Sequence, residues 1–302
     1  NLERAAFSTI IRESNDYTVV LLDSNGDSLA ENRATIGAFA GCLPRTMKHL
    51  LKIFPIESWE PGDVVISNDP WIGTGHRPDV TVVAPIFYKD KIIAFTGNTG
   101  HWADVGGTIF SADAKSVFEE GIGLPPMKIV NKGVPDATLV NLIKSNVRVP
   151  DMVLGDLYAQ IATAEICSDL VVEFVSQSGF EDLSILSVAI MSRAEVAMKA
   201  AIETVPDGTY RSTVSLDGYD TPLFIKCAIK VDGTSIEVDY DGTSDQITQG
   251  STNVVLTYAM AWTCYTLKCV LDPSTLRNEG SYRPIGIQAP LGCILNCEYP
   301  SP

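Results

Sequence analysis

The sequence has 302 residues, 45% of them hydrophobic and 20% charged, with a formal net charge of −15. That is enough apolar chain to bury a sizeable core in one large unit or two, while the acidic balance excludes the clustered Lys and Arg that a phosphate-binding surface needs, so nucleic acid is not an expected partner. Seven cysteines without a C-x-x-C pair fit reduced thiols and a cytoplasmic location better than a disulfide framework.

In chain order, Asn1 to Glu13 suits a helix, and Tyr17 to Leu22 is β-branched and apolar, with Asn25-Gly26 as a hairpin turn. Asp23-Ser24-Asn25-Gly26-Asp27 looks superficially like a calcium loop, but its glycine comes too early and no glutamate closes it, so it reads as the turn. Cys42 to Phe54 is a second helix carrying His49 beside Lys48, the position of a surface or packing histidine. Strand signals follow at Val64 to Ile66, Val80 to Tyr88 and Ile92 to Thr96, the last two joined by Lys89-Asp90. With those two as turn residues, Asp79 faces Gly100; a one-residue bulge, invited by Pro85, would instead set Asp79 opposite His101.

From Pro150 to Val205 the pattern turns helical, with Asp151 as the expected cap, a break at Ser178-Gly179 and a second helix through Ala194 to Ile202. Beyond Pro206-Asp207-Gly208, strands are expected at Thr209 to Leu216, Leu223 to Val231 and Ser235 to Tyr240, then a buried helix within Asn253 to Leu271. The apolar part of the uncharged run Thr248 to Leu267 is too short to span a bilayer. The expected fold class is α+β: mixed sheets with a helical layer and no strict βαβ alternation of the Rossmann kind. Residues 1–205 are expected to form a metal-binding α+β domain, and 206–302 a smaller β-rich domain. The opening without methionine and the closing Tyr299-Pro300-Ser301-Pro302 both read as mid-protein sequence, so a fragment truncated at its C-terminus is expected.

The sharpest chemical signal is a repeated hexapeptide, G-H-x-x-D-V, at Gly75-His76-Arg77-Pro78-Asp79-Val80 and again at Gly100-His101-Trp102-Ala103-Asp104-Val105, which uses two of only three histidines. Imidazole and carboxylate three residues apart, beside a glycine that permits close backbone approach, are ligands for a borderline metal: His76, Asp79 and His101 suit zinc, manganese or iron. Two hydrogen-bonded loop histidines are the alternative. Asp104 is expected either as a fourth ligand or as a catalytic group that orients His101 and takes a proton from bound water. Asn68, Asp69 and Asn98, just upstream of the two copies, are candidate substrate contacts, although Asn-Asp-Pro is also ordinary turn chemistry. Gly106-Gly107 offers backbone N–H groups or a tight turn, and Trp71 and Trp102 offer pocket walls or packing. Nucleotide-binding and G-x-S-x-G motifs are absent from the sequence.

The run Asn68 to Val80 and the later Gly100 to Gly107 resemble the hydantoinase B/oxoprolinase family. The likeness extends to Asn146-Val147-Arg148, Gly155 to Gln160, Pro206 to Tyr210 and Val238 to Ser244, nearly the whole chain. The resemblance implies a division of labour in a hetero-oligomer. A hydantoinase A-type partner holds ATP and magnesium and phosphorylates a small-molecule substrate; the B-type chain holds a divalent metal and completes the reaction. It carries the metal site onto His76, Asp79 and His101, leaving Asp104 unassigned. ATP-dependent opening of a cyclic amide is the expected activity. A component of an acetone- or acetophenone-type carboxylase, or a structural component without turnover, is the alternative.

Overall fold

Both faces of the Val80–Thr96 hairpin are apolar, which dictates a sheet covered on two sides. The computed structural model, which describes residues 2–108 and 111–302, shows this layout. Asn1, where the first expected helix began, lies outside the described residues.

That helix is two short ones, α1 (Leu2–Ala5) and α2 (Thr9–Ser14). The chain breaks because the Phe7 and Ser8 N–H groups donate to Asp156 Oδ1, at 2.7 and 3.1 Å, and the Ser8 hydroxyl caps α2 by accepting from Ile11 N–H. β1 (Tyr17–Asp23) turns through Asn25-Gly26 into β2 (Ser28–Glu31), and Asp23 Oδ1 accepts the Asn25 and Asp27 N–H groups, so this acidic stretch serves as a turn. Next come α3 (Cys42–Ile53), with His49 exposed, β3 (Val64–Ser67), β4 (Asp79–Tyr88) and β5 (Lys91–His101). β6 (Met127–Asn131) and β7 (Val134–Pro135) complete an antiparallel sheet ordered β2-β1-β5-β4-β3-β6-β7 among the described residues.

Helices cover both faces of this sheet. After α4 (Ala137–Asn146), the long α5 (Pro150–Ser178) packs Val153, Leu157, Ile161 and Ala164 on Val80, Val82 and Ala84. α3 packs Leu43, Met47 and Leu50 on Val83 and Phe95 from the other side. Each such buried side chain contributes about 1.5–3 kcal/mol of apolar burial. Gly97 is required where α3 comes closest, since a Cβ there would meet Leu43 Cδ2 at 2.4 Å. Asp151 is not the cap of α5: Val149 holds that position and Pro150 opens the first turn, where its missing N–H costs nothing. Gly179, left-handed at φ 75°, ends the helix.

α6 (Ser184–Ile202) leads to β8 (Gly208–Leu216), β9 (Leu223–Asp232) and β10 (Ser235–Asp239), then α7 (Leu256–Leu271), α8 (Glu279–Tyr282) and β11 (Ile285–Gln288). The second sheet, ordered β11-β10-β9-β8, is mixed, because β11 runs parallel to β10. The fold is α+β and not of the Rossmann type. α7 is not buried all round: it packs Ala259, Ala261 and Cys264 inward and keeps Trp262 and Val270 at the surface, a one-sided helix on the sheet edge. No helix of the described residues is long and apolar enough to cross a membrane.

Candidate functional site

One irregular step in the β4–β5 ladder builds the site. At the Lys89-Asp90 turn, whose residues take φ 48° and 62°, Tyr88 pairs with Lys91 and Phe87 with Ile92; the register then slips, so that Ile86 pairs with Ala94 and, at the far end, Asp79 with His101. Without the slip Asp79 would oppose Gly100, and His101 would point to the other face. With it, Asp79 and His101 stand side by side on the α3 face, behind the Thr81–Thr99 pair, whose hydroxyls are 2.8 Å apart. On the other side of β5, Tyr17 pairs with Gly100, and His101 N–H donates to Asp16 O at 3.0 Å, which brings Asp16 into the same row. His76 arrives from the loop before β4. Gly75 turns that loop at φ +111° with the Tyr258 ring so close that a Cβ would meet it at 2.9 Å.

The side chains converge. Asp79 Oδ1 lies 3.0 Å from His76 Nε2 and 3.2 Å from His101 Nδ1, and Asp16 Oδ2 lies 3.6 Å from His101 Nδ1. The two imidazole centroids are 4.9 Å apart, and the donor atoms of His76, Asp79 and His101 all fall within 4.8 Å of one another. Burial alone would push Asp79 up, but the flanking imidazoles outweigh it and hold its carboxyl at about 2. Burial would likewise lower His76, yet Asp79 raises it above its ordinary value. Asp16 is pushed up by burial and then by the charge of Asp79. Two carboxylates this close therefore oppose each other's ionisation, and Asp16 Oδ1 is buried with no hydrogen-bond partner among the described residues. A cation would relieve both conditions. For an ion held tetrahedrally by N and O at about 2.0–2.2 Å, the donors are separated by about 3.3–3.6 Å; the carboxylate–imidazole separations here are 3.0 to 3.6 Å, within a donor set that spans no more than 4.8 Å.

The cluster opens into a cavity of about 300 Å³. Its floor is the row of strand ends. Ile36, Ala38, Thr108, Glu120, Asn253 and Tyr258 are among the residues that line the rest of it. Burial also pushes the Glu120 carboxyl up, although Glu120 Oε2 accepts the Arg77 N–H at 3.0 Å.

The structure brings His76, Asp79 and His101 together and leaves the other expected residues apart. Asp104 turns to Arg148: its Oδ1 accepts from Arg148 Nη2 at 2.6 Å and from Gly106 N–H at 3.0 Å, it does not line the cavity, and Arg148 holds its carboxyl below the ordinary range despite burial. Asn68 is spent on backbone, donating to Arg77 O and Ile122 O and accepting from Leu124 N–H; with Asp69 and Trp71 it lines a separate, smaller cavity. Asn98 is fully buried and donates to Gln160 O at 2.9 Å. Trp102 is core, its indole N–H bonded to Gln160 Oε1 at 2.8 Å. Sequence reasoning missed Asp16, Glu120 and Tyr258. Asp16 carries no local signal for the site, since only the pairing of β1 with β5 brings it to His101.

The family model for hydantoinase B/oxoprolinase matches residues 1–302. The B-type component of a putative D-/L-hydantoinase from Pseudomonas sp. (strain NS671) is 35% identical over 100% of this chain and 54% of its own length. The chain thus spans about half the length of that relative. Among solved structures, the ATP-dependent caprolactamase from Pseudomonas jessenii matches with a TM-score of 0.88 at 26% identity, over 95% of this chain and 50% of that one. Acetone carboxylase, nucleotide-free, also gives a TM-score of 0.88, at 18% identity over 98% of this chain and 42% of that one, a likeness of fold.

Proposed function

The chain belongs to the hydantoinase B/oxoprolinase family, and from that premise we propose that it is the metal-binding, B-type catalytic component of an ATP-dependent cyclic-amide hydrolase, working with an A-type ATP-binding partner. The observation that carries this reading is the convergence of His76 Nε2, Asp79 Oδ1 and His101 Nδ1 at the floor of a cavity large enough for a small ring. The relatives support the substrate class, one as a component of a putative hydantoinase and one as a caprolactamase.

In this reading those three residues hold a divalent ion, zinc, manganese or iron by ligand type, with Asp16 Oδ2 as a further donor. Such an ion polarises a carbonyl and lowers the pKa of water. The remaining work falls to the chain itself. β1, β5 and β4 fix three of the donors at strand ends, where the ladder leaves little freedom to misplace them. The apolar wall at Ile36 and Ala38 excludes bulk water from the ring face, and Tyr258 packs against Gly75 to hold His76 inward. ATP and magnesium belong to the A-type partner. All seven cysteines are free thiols, which supports a reducing compartment such as the cytoplasm.

The test is reconstitution with an A-type partner and ATP, scoring ring opening of hydantoin and lactams with and without bicarbonate, with metal content measured on the same samples. ATP-dependent, bicarbonate-independent ring opening that is lost in His101→Ala is expected. Bicarbonate-dependent consumption of a ketone would assign carboxylation instead, and full activity in His101→Ala would remove the site.

A further inference from the structure

Asp79 and His101 form the last rung of the β4–β5 ladder, since β4 begins at one and β5 ends at the other. A ladder frays first at such an end, and a small rotation of either strand there would carry the carboxylate away from the imidazole. Two ties resist this. The Trp102 backbone N–H donates to Pro78 O at 2.8 Å, beyond the last rung. The second tie comes from α5, behind the sheet. Val80 and Trp102, which follow the two donors in the chain, pack on the α5 side, and fully buried Gln160 joins them: its Nε2 donates to Val80 O at 2.9 Å and its Oε1 accepts from Trp102 Nε1 at 2.8 Å. An indole N–H can only donate and a backbone carbonyl can only accept, so these partners fix the amide in one orientation.

Gln160 is itself held in place. Its backbone O accepts from Asn98 Nδ2 at 2.9 Å, and one helical turn earlier Asp156 Oδ1 accepts the Phe7 N–H at 2.7 Å. The amide lies under the Val80–Gly100 rung, where a Cβ on Gly100 would stand 3.5 Å from Gln160 Nε2. We propose that Gln160 is a positioning residue for the donor cluster: by tying Val80 to Trp102 on one face of the sheet, it fixes the spacing of Asp79 Oδ1 and His101 Nδ1 on the other. The proposal rests on the metal reading above. Removing the amide leaves the Trp102 N–H and one bond of Val80 O unmade in the core, and the strand ends shift to compensate.

The test loads the full chain with cobalt(II) and reads its affinity, by chelator competition, together with its visible absorption band. Gln160→Met keeps the volume and removes both bonds; it is expected to weaken cobalt binding by about 10–100-fold and to shift the band. Val175→Ala, a core truncation far along the same helix, controls for lost stability and is expected to change neither. An unchanged affinity and band in Gln160→Met overturns the proposal, as does an equal change in Val175→Ala. Should the Met variant not fold, Gln160→Asn decides, because it keeps the amide but shortens its reach by one methylene: a loss of at least about threefold is expected, and no loss overturns the proposal. A wild-type chain that binds no cobalt ends the metal reading alone. The brace is then judged on metal-free protein by the ring carbon–proton NMR signals of the three histidines. Displacement of the His101 signal in Gln160→Met, with exposed His49 unmoved, supports it, and an unmoved His101 signal overturns it.

Discussion

Asp16 Oδ2 lies 3.6 Å from His101 Nδ1, and the backbone of the same two residues is joined by the His101 N–H bond to Asp16 O. The contact follows from the β1–β5 register, Tyr17 against Gly100, and so does not depend on the charge of the side chain. Asp16→Asn should therefore keep the fold and weaken metal binding by about 10–100-fold, the usual effect of losing a supporting carboxylate. Competition with a chromophoric chelator reads this directly, and unchanged affinity would take Asp16 out of the site.

Removing an imidazole should act twice. In His101→Ala the metal per chain, measured by ICP-MS on protein never exposed to nickel resin, should fall to background. Asp79, whose carboxyl its neighbours hold at about 2, then remains buried with one imidazole fewer. Metal-free His101→Ala should lose about 1–3 kcal/mol in urea unfolding relative to metal-free wild type. A variant as stable as wild type would mean that the imidazole is not what sustains the buried charge.

Asp104→Asn separates structure from chemistry. Asp104 receives Arg148 and Gly106 and faces away from the cavity. The variant should melt at a lower temperature while kcat and metal content stay at wild-type values. A collapse of kcat with the melting temperature unchanged would restore Asp104 as a participant in the reaction.

Gly75→Ala tests the loop that delivers His76. A Cβ at φ +111° is strained by about 1–3 kcal/mol, and here it would also press on the Tyr258 ring. Metal affinity should fall with stability, and Tyr258→Ala in the same chain should recover part of the affinity by vacating the space. No recovery would trace the defect to the backbone alone.

Glu31 gives a pH dependence away from the metal cluster. Its carboxyl, buried beside Arg277 and Tyr282, is lifted by burial to about 7, with Arg277 only partly offsetting this. The folded state thus holds a proton that the unfolded chain, titrating near 4.5, has already released. Stability from this group is complete below about 4.5 and is lost as pH rises through 7. Relative to wild type, Glu31→Gln should gain up to about 3 kcal/mol between pH 5 and pH 8. A difference independent of pH across that window would show that Glu31 is ionised throughout.

Part of this site was readable without coordinates. Alternating β-branched residues and Lys89-Asp90 defined the hairpin, and the duplicated hexapeptide pointed to His76, Asp79 and His101 because histidine is so scarce here. The same duplication misled at Asp104. The first copy leads into a strand, so Asp79 sits on the ladder; the second leads out of one, and beyond His101 the chain dives into the core at Trp102 and turns away. Two copies of one pattern thus met opposite situations, the start of β4 and the end of β5. Asp16 was hidden for a different reason: only the non-local pairing of β1 with β5 ties it to His101, and no local pattern encodes a partner strand. The break at Ser8 was likewise invisible, being set by Asp156 from the distant α5.

The extra residue in β5 lies at the turn end of the hairpin, roughly 23 Å of strand from the Asp79–His101 pair at about 3.3 Å per residue. Every rung between them is a transmission rod. A single insertion or deletion anywhere along that length, remote from ion or ring, would rotate one ligand to the back of the sheet while leaving composition, charge and most of the core intact. Substitutions along those rungs should therefore leave the ligands in place where a change in strand length would not.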